Sequence, residues 1–136
     1  VAGRRLGVCG DRHTLIPVED ILYAFLGSAV SKRLIDAAWS WQHGFRRDRV
    51  YVRTRKGIFM THFRSLAQLR ARLNPEVFSP IHQSLLVSMN KIVEIDLGGR
   101  VKQVGVALAD GSIESLTVSR RYVKALRFRL GLSTRG

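Results

Sequence analysis

Apolar and polar positions change over in short blocks along most of the chain, and this period-two texture gives way to a helical one in three places. Residues 5–9 and 13–17 predict two short strands around Gly10-Asp11, with Asp11-Arg12-His13 turning them into a hairpin. Ile21-Leu22-Tyr23-Ala24-Phe25 is an unbroken apolar run of strand length and predicts a central strand buried on both faces. Residues 49–54 alternate. Arg49, Tyr51, Arg53 and Arg55 fall on one face and Val50, Val52 and Thr54 on the other, so a strand with a positive face is expected. Arg55-Lys56-Gly57 turns it into a further strand over 58–62. Beyond Phe78 the texture is again strand-like, at 85–87, 92–97, 101–108 and 113–118. Gly98-Gly99 and Asp110-Gly111 stand between the last three as hairpin turns.

The first helical stretch covers 28–43. Val30, Leu34, Ala38 and Trp41 recur at helical spacing while Lys32, Arg33 and Asp36 lie elsewhere on the wheel, which predicts an amphipathic helix. Ser28 or Ser31 serves as its cap and Gly44 as its end. Its apolar stripe is expected to dock on the domain and leave Trp39 for a dimer or interdomain contact. A short helix over 65–73 has Leu66, Leu69 and Leu73 on one face and stops at Asn74-Pro75, and a third spans 119–130. The fold expected is mainly β, strand-rich, with short helices and one amphipathic helix interposed.

The chain has 136 residues, 46% of them hydrophobic, with a mean hydropathy of zero. One globular domain over 1–136 is expected, with its core at about 13–130 and an insertion at about 28–47. Charge changes the picture more. Lys and Arg number 23 against 10 Asp and Glu, a formal net charge of +13 and a pI near 11.4. Self-repulsion on this scale destabilises a compact state unless a polyanion relieves it, and nucleic acid is favoured over a membrane.

Candidate reaction chemistry is sparse. Cys9 is the only cysteine, which excludes a disulfide framework and a cysteine-based zinc site, and it reads as a small packed residue in a strand. His13, His43, His62 and His82 stand far apart, without metal-ligand spacing. Glu19-Asp20 and Glu94/Asp96 are the close carboxylate pairs, and both read as solvated charges. There is no phosphate-binding glycine loop, nucleophile elbow or triad, so neither an enzyme nor a cofactor is expected. No run approaches the roughly eighteen apolar residues of a membrane span, and residues 1–5 lack the apolar core of a signal peptide. A cytoplasmic location is expected, with no membrane contact in this segment. The absence of an initiator Met reads as an excised piece whose sensing part lies elsewhere.

Phe78-Ser79-Pro80-Ile81-His82-Gln83-Ser84-Leu85-Leu86-Val87 resembles the signature of LytTR-type DNA-binding domains, which are bacterial transcription-factor modules. Ile16-Pro17-Val18-Glu19-Asp20-Ile21-Leu22-Tyr23 and Ser65-Leu66-Ala67-Gln68-Leu69 resemble the family's opening and its short helix. Met89-Asn90-Lys91-Ile92 and Thr117-Val118-Ser119-Arg120-Arg121-Tyr122-Val123-Lys124-Ala125-Leu126 follow in family order. The resemblance implies duplex DNA as partner, read by loops in successive major grooves, in the output domain of a regulator that carries a sensor or receiver domain or forms a homodimer. It implies Gln83 and Arg121 as base contacts, a role that suits Gln on adenine and Arg on guanine. His82, Arg46, Arg47, Arg49, Arg53, Arg120, Lys124 and Arg127 are the expected phosphate contacts or supports. The chain departs from the family at Phe25, at Ser88 and in the insertion, which replaces a loop that itself tends to touch DNA. Two other readings compete: a sequence-tolerant RNA-binding domain, and a protein-interaction module built on Trp39 and Trp41.

Overall fold

The structure, a computed structural model, describes residues 5–9, 14–31, 34–36 and 46–132. Strand β1 (Arg5–Val8) pairs antiparallel with β2 (Thr14–Pro17), Leu6 opposite Ile16, as the expected hairpin; its turn residues lie outside the described residues. A 3-10 turn at Val18–Asp20 leads into β3 (Ile21–Leu26), where Ile21 through Phe25 are all buried. The unbroken apolar run explains this, since β3 is the middle of an antiparallel sheet covered on both faces. Its neighbours are β5 (Val50–Thr54) and β6 (Gly57–Met60) on one side, β8 (Leu85–Ser88) and β7 (Phe78–His82) on the other, in the order β6-β5-β3-β8-β7.

One face of this sheet is covered by the β1–β2 hairpin and helix α2 (Leu66–Arg70), where Leu6, Val8, Ile16, Leu69 and Leu73 pack on Ile21, Ala24, Val52 and Leu86. Helix α2 begins with a reciprocal cap. The Gln68 N–H donates to Ser65 Oγ at 3.2 Å, and Gln68 Oε1 accepts from the Arg64 N–H at 2.9 Å. The other face meets a second antiparallel sheet, β4 (Ile35–Asp36), β9 (Ile92–Asp96), β10 (Gln103–Ala107) and β11 (Ile113–Thr117), ordered β4-β11-β10-β9. Tyr23, Phe25, Tyr51, Leu85 and Val87 form the core there with Val104, Val106, Leu116 and Leu126, the last from helix α3 (Arg120–Arg129). The turn between β10 and β11 needs Gly111, whose φ is +84°. The fold is mainly β with short helices, as expected.

The amphipathic helix over 28–43 is not what forms. Helix α1 spans only Ser28–Ser31, and Ile35–Asp36 is strand, paired with Leu116 and Ser115 of β11. The Leu34 carbonyl already joins this edge, accepting from the Thr117 N–H at 2.9 Å. The edge of β11 offers ladder hydrogen bonds that a helix cannot take, and β-branched Ile35 loses little by extending. Val30, in α1, and Leu34, beyond it, still pack on the core between the sheets, so half of the expected stripe makes its apolar contact although the helix stops between them. Ala38, Trp39 and Trp41 lie outside the described residues.

The positive face expected on β5 is also changed. Tyr51 is 7% exposed and the Arg53 side chain 12%, because that face of β5 looks into the space between the sheets. Alternation placed these residues together correctly; it carried no information on whether a second sheet would cover them.

Candidate nucleic-acid interface

The end of the central sheet where β3, β6 and β7 stop and β5 and β8 begin is assembled by main-chain hydrogen bonds. The Leu26 N–H donates to the Ser84 carbonyl at 3.1 Å, the Gly27 N–H to that of Arg49 at 2.9 Å, and the Val50 N–H to that of Phe63 at 2.9 Å. These bonds bring the 46–49 turn, the 61–64 segment and the β7–β8 connection to one place. Gly27 is required there. A Cβ at this position would lie 2.0 Å from the Arg46 carbonyl oxygen, so the 46–49 turn rests directly on the β3 backbone. The turn is latched again by the Arg46 N–H, which donates to the Tyr51 hydroxyl at 3.0 Å.

Helix α3 starts beside the same end. Its N-cap residue, Ser119, donates its N–H to the Ile81 carbonyl at 2.8 Å. The β7–β8 register shifts between Pro80 and His82, a bulge that holds Ile81 out of the regular ladder, next to the turn it re-aims. Gln83 is exposed two residues beyond Ile81, and Arg120 and Arg121 are exposed immediately after Ser119. The two residues expected to read bases are therefore brought together, one from each side of a single hydrogen bond. No acidic residue stands in the first turn of α3, although cations are disfavoured at a helix N-terminus. The Arg121 guanidinium lies 5.3 Å over the Tyr122 ring.

Around this pair the cations are unevenly placed. Arg46 and Arg47 are exposed; Arg49 is half-buried, with Nη1 3.4 Å from the His62 carbonyl. Lys124 is exposed one turn along α3 from Arg120. His82 is half-buried, and its Nδ1 accepts from the Ser84 N–H at 3.0 Å, which fixes the ring and puts the proton of the neutral form on Nε2. Arg127 is half-buried with Nη2 3.5 Å from the Leu97 carbonyl, on the β9 side and away from the turn. Arg53 is not at this surface: its Nε lies 3.8 Å from Glu114 Oε1, and Glu114 is 2% exposed. The Tyr23 hydroxyl donates to the same carboxylate, and burial first, then the Glu114 charge, hold its pKa well above the ordinary tyrosine value.

Two residues of this end escaped the sequence reading. Arg64 is exposed and reaches Asp48 at 3.3 Å, while Arg46 lies 3.6 Å from that carboxylate on the other side. His62 is exposed beside Cys9, its Nδ1 3.4 Å from the sulfur. The only available signal was the basic residue ahead of the Ser65 cap; nothing in the order of residues tells that 61–64 returns to the 46–49 turn. Among the described residues no cluster of His, Cys, Asp or Glu is able to hold a metal ion, and no helix is long and apolar enough to cross a membrane.

A mainly antiparallel module that presents a cationic end made of loops and one helix start is a nucleic-acid-binding class of architecture. The family model of the LytTr DNA-binding domain matches residues 44–131, from the 46–49 turn through α3. The chain belongs to the LytTR family of DNA-binding domains. Its fold is similar to the LytTr DNA-binding domain of a Bacillus cereus protein described as a methyl-accepting/DNA response regulator, at 18% identity. That likeness covers 94% of this chain and 97% of the other, with a TM-score of 0.66. No curated protein matches the chain.

Proposed function

We propose that this end of the molecule reads duplex DNA by sequence, as the output domain of a bacterial transcription regulator. The observation that carries the proposal is the Ser119–Ile81 hydrogen bond, which joins exposed Gln83 and exposed Arg121 within a cationic surface. Gln83 and Arg121 make the base contacts, consistent with the amide pairing adenine N6/N7 and the guanidinium pairing guanine O6/N7. Arg46, Arg47, Arg49, Arg120 and Lys124 hold phosphates, joined by Arg64. His82 shapes the turn that carries Gln83, and Arg127 supports α3 from behind. There is no catalytic step and no cofactor. The response regulator to which the Bacillus cereus domain belongs supports an output role beside a receiver or sensor, in the cytoplasm, alone or as a homodimer.

The RNA-binding alternative needs exposed aromatic rings on a basic strand, and Tyr51, the aromatic residue interleaved with the arginines of β5, is buried. The Trp39/Trp41 module rests on residues outside those described. Selection from random duplex DNA tests the proposal: a consensus that repeats at helical spacing is expected, and enrichment of no sequence over the input pool would refute it.

A further inference from the structure

The two residues assigned to base reading belong to different sheets. Gln83 sits on the β7–β8 connection of the central sheet, while Arg121 lies on the helix that leaves β11 of the other sheet. Their separation therefore depends on how one sheet sits on the other. Most of the contact between the sheets is apolar, made by Phe25, Leu85 and Val87 against Val104, Val106 and Leu116, and apolar contact is non-directional. Such a face tolerates small slips that a pair of base contacts does not.

One group of side chains in that interface is directional. Tyr23 and Arg53 stand directly opposite each other on β3 and β5, and both reach Glu114 of β11. Tyr23 is 0% exposed, and the Arg53 and Glu114 side chains are 12% and 1% exposed. The ladder shifts between Ile21 and Tyr23, and this bulge puts Leu22 and Tyr23 into the same inter-sheet core while Ile21 packs on the opposite face. From Glu114 the chain runs five residues along β11 to Ser119, which is tied to Ile81. Buried ionic and polar groups are a poor source of net stability compared with apolar side chains of similar volume, and their better-attested use is to select one arrangement among several. Here the arrangement selected is the register of the two sheets.

We infer that the buried cluster of Tyr23, Arg53 and Glu114 is a positioning device for DNA reading, which locks the two sheets in one register and so fixes the distance between Gln83 and Arg121. The three residues touch no DNA; they act through the elements that carry the reading residues. The DNA half of this inference rests on the function proposed above, and the register half does not.

The test compares the chain with a variant in which the cluster is made apolar, Tyr23→Phe with Arg53→Met and Glu114→Leu, and with Glu114→Gln, which keeps an acceptor for the Tyr23 hydroxyl and removes the charge. Each is studied well below its own unfolding midpoint. Residual dipolar couplings of the backbone amides report the orientation of the two sheets without DNA. Affinities for the selected consensus and for a scrambled duplex report reading against holding.

In the apolar variant each sheet keeps its internal alignment, yet no single relative orientation fits the couplings. Preference for the consensus drops about tenfold while affinity for the scrambled duplex stays within about twofold. Glu114→Gln shows the same two effects at smaller size and decides the matter if the triple variant does not fold. Arg53→Lys, which leaves a cation beside Glu114, keeps most of the preference. An unchanged orientation in the folded variants overturns the inference, and so does a loosened orientation with undiminished preference. If the unaltered chain prefers no duplex, the proposed function fails, while the couplings still decide whether the cluster sets the register.

Discussion

Gln83 and Arg121 are both exposed, and neither supports the core, so their substitution separates reading from folding. Gln83→Ala and Arg121→Ala are each expected to cost about 1–3 kcal/mol on the cognate site and much less on random duplex. Melting midpoints should hardly move, because exposed polar truncations stay within about 0.5 kcal/mol. Paired binding and melting curves check this, and a uniform loss on all duplexes would reassign both residues to phosphates. Tyr23 makes the opposite case, a residue without access to solvent. Unfolded, a tyrosine ionises at about pH 10. The fold holds the Tyr23 proton to higher pH, so above about 10 the unfolded chain sheds a proton that the folded chain keeps, and stability falls as pH rises. In a spectrophotometric titration, the tyrosinate signal that Tyr23→Phe removes should develop only as the chain unfolds. Residue by residue, exposure was the hardest property to foresee. Arg53 shares its strand face with Arg49, as alternation predicts, yet one is enclosed with Glu114 of the second sheet and the other is half-buried with its guanidinium near the His62 carbonyl.

At the scale of elements, the strands were legible wherever a turn signal and alternation agreed. The β1–β2, β9–β10 and β10–β11 hairpins stand where Gly10-Asp11, Gly98-Gly99 and Asp110-Gly111 put them. The stretch from Ser28 was misread for a physical reason. A helical repeat of apolar residues was visible in the chain, whereas the free edge of β11, which draws Ile35–Asp36 into a ladder, is created only by residues some eighty positions later. The meeting of the 46–49 turn with Gly27 was hidden in the same way. Gly27→Ala would force a methyl group into the Arg46 carbonyl, and we expect the turn to move away, with a loss of about 1–3 kcal/mol in stability. If Arg46, Arg47 and Arg49 hold phosphates, the same substitution weakens binding to every duplex, consensus or not. Calorimetry and binding at fixed salt measure the two losses, and full affinity in a destabilised variant would remove this turn from the interface.

For the whole molecule, charge was the most informative sequence property and the least local. The cations Arg46, Arg47, Arg64, Arg120, Arg121 and Lys124 gather at one end of the central sheet with Asp48 among them, whereas at its other end Glu19, Asp20 and Glu76 stand with Arg55, Lys56 and Arg129. The net charge of +13 favours approach of a polyanion. Log affinity should fall linearly with log salt, by about 0.9 for each phosphate neutralised. Lys124→Ala should make that slope shallower by about one unit while weakening all duplexes alike. Titrations at graded salt decide it, and a flat dependence would dismiss the electrostatic account.

The hydrogen bond between the β7 bulge and the start of α3 is one of main chain to main chain, an N–H of Ser119 on a carbonyl of Ile81. Such a joint is blind to the identity of the side chains that project on either side of it. Positions 83 and 121 are thereby uncoupled from the framework that aligns them, and exchanging them, singly or together, should retarget the domain to other base pairs without redesign of its core.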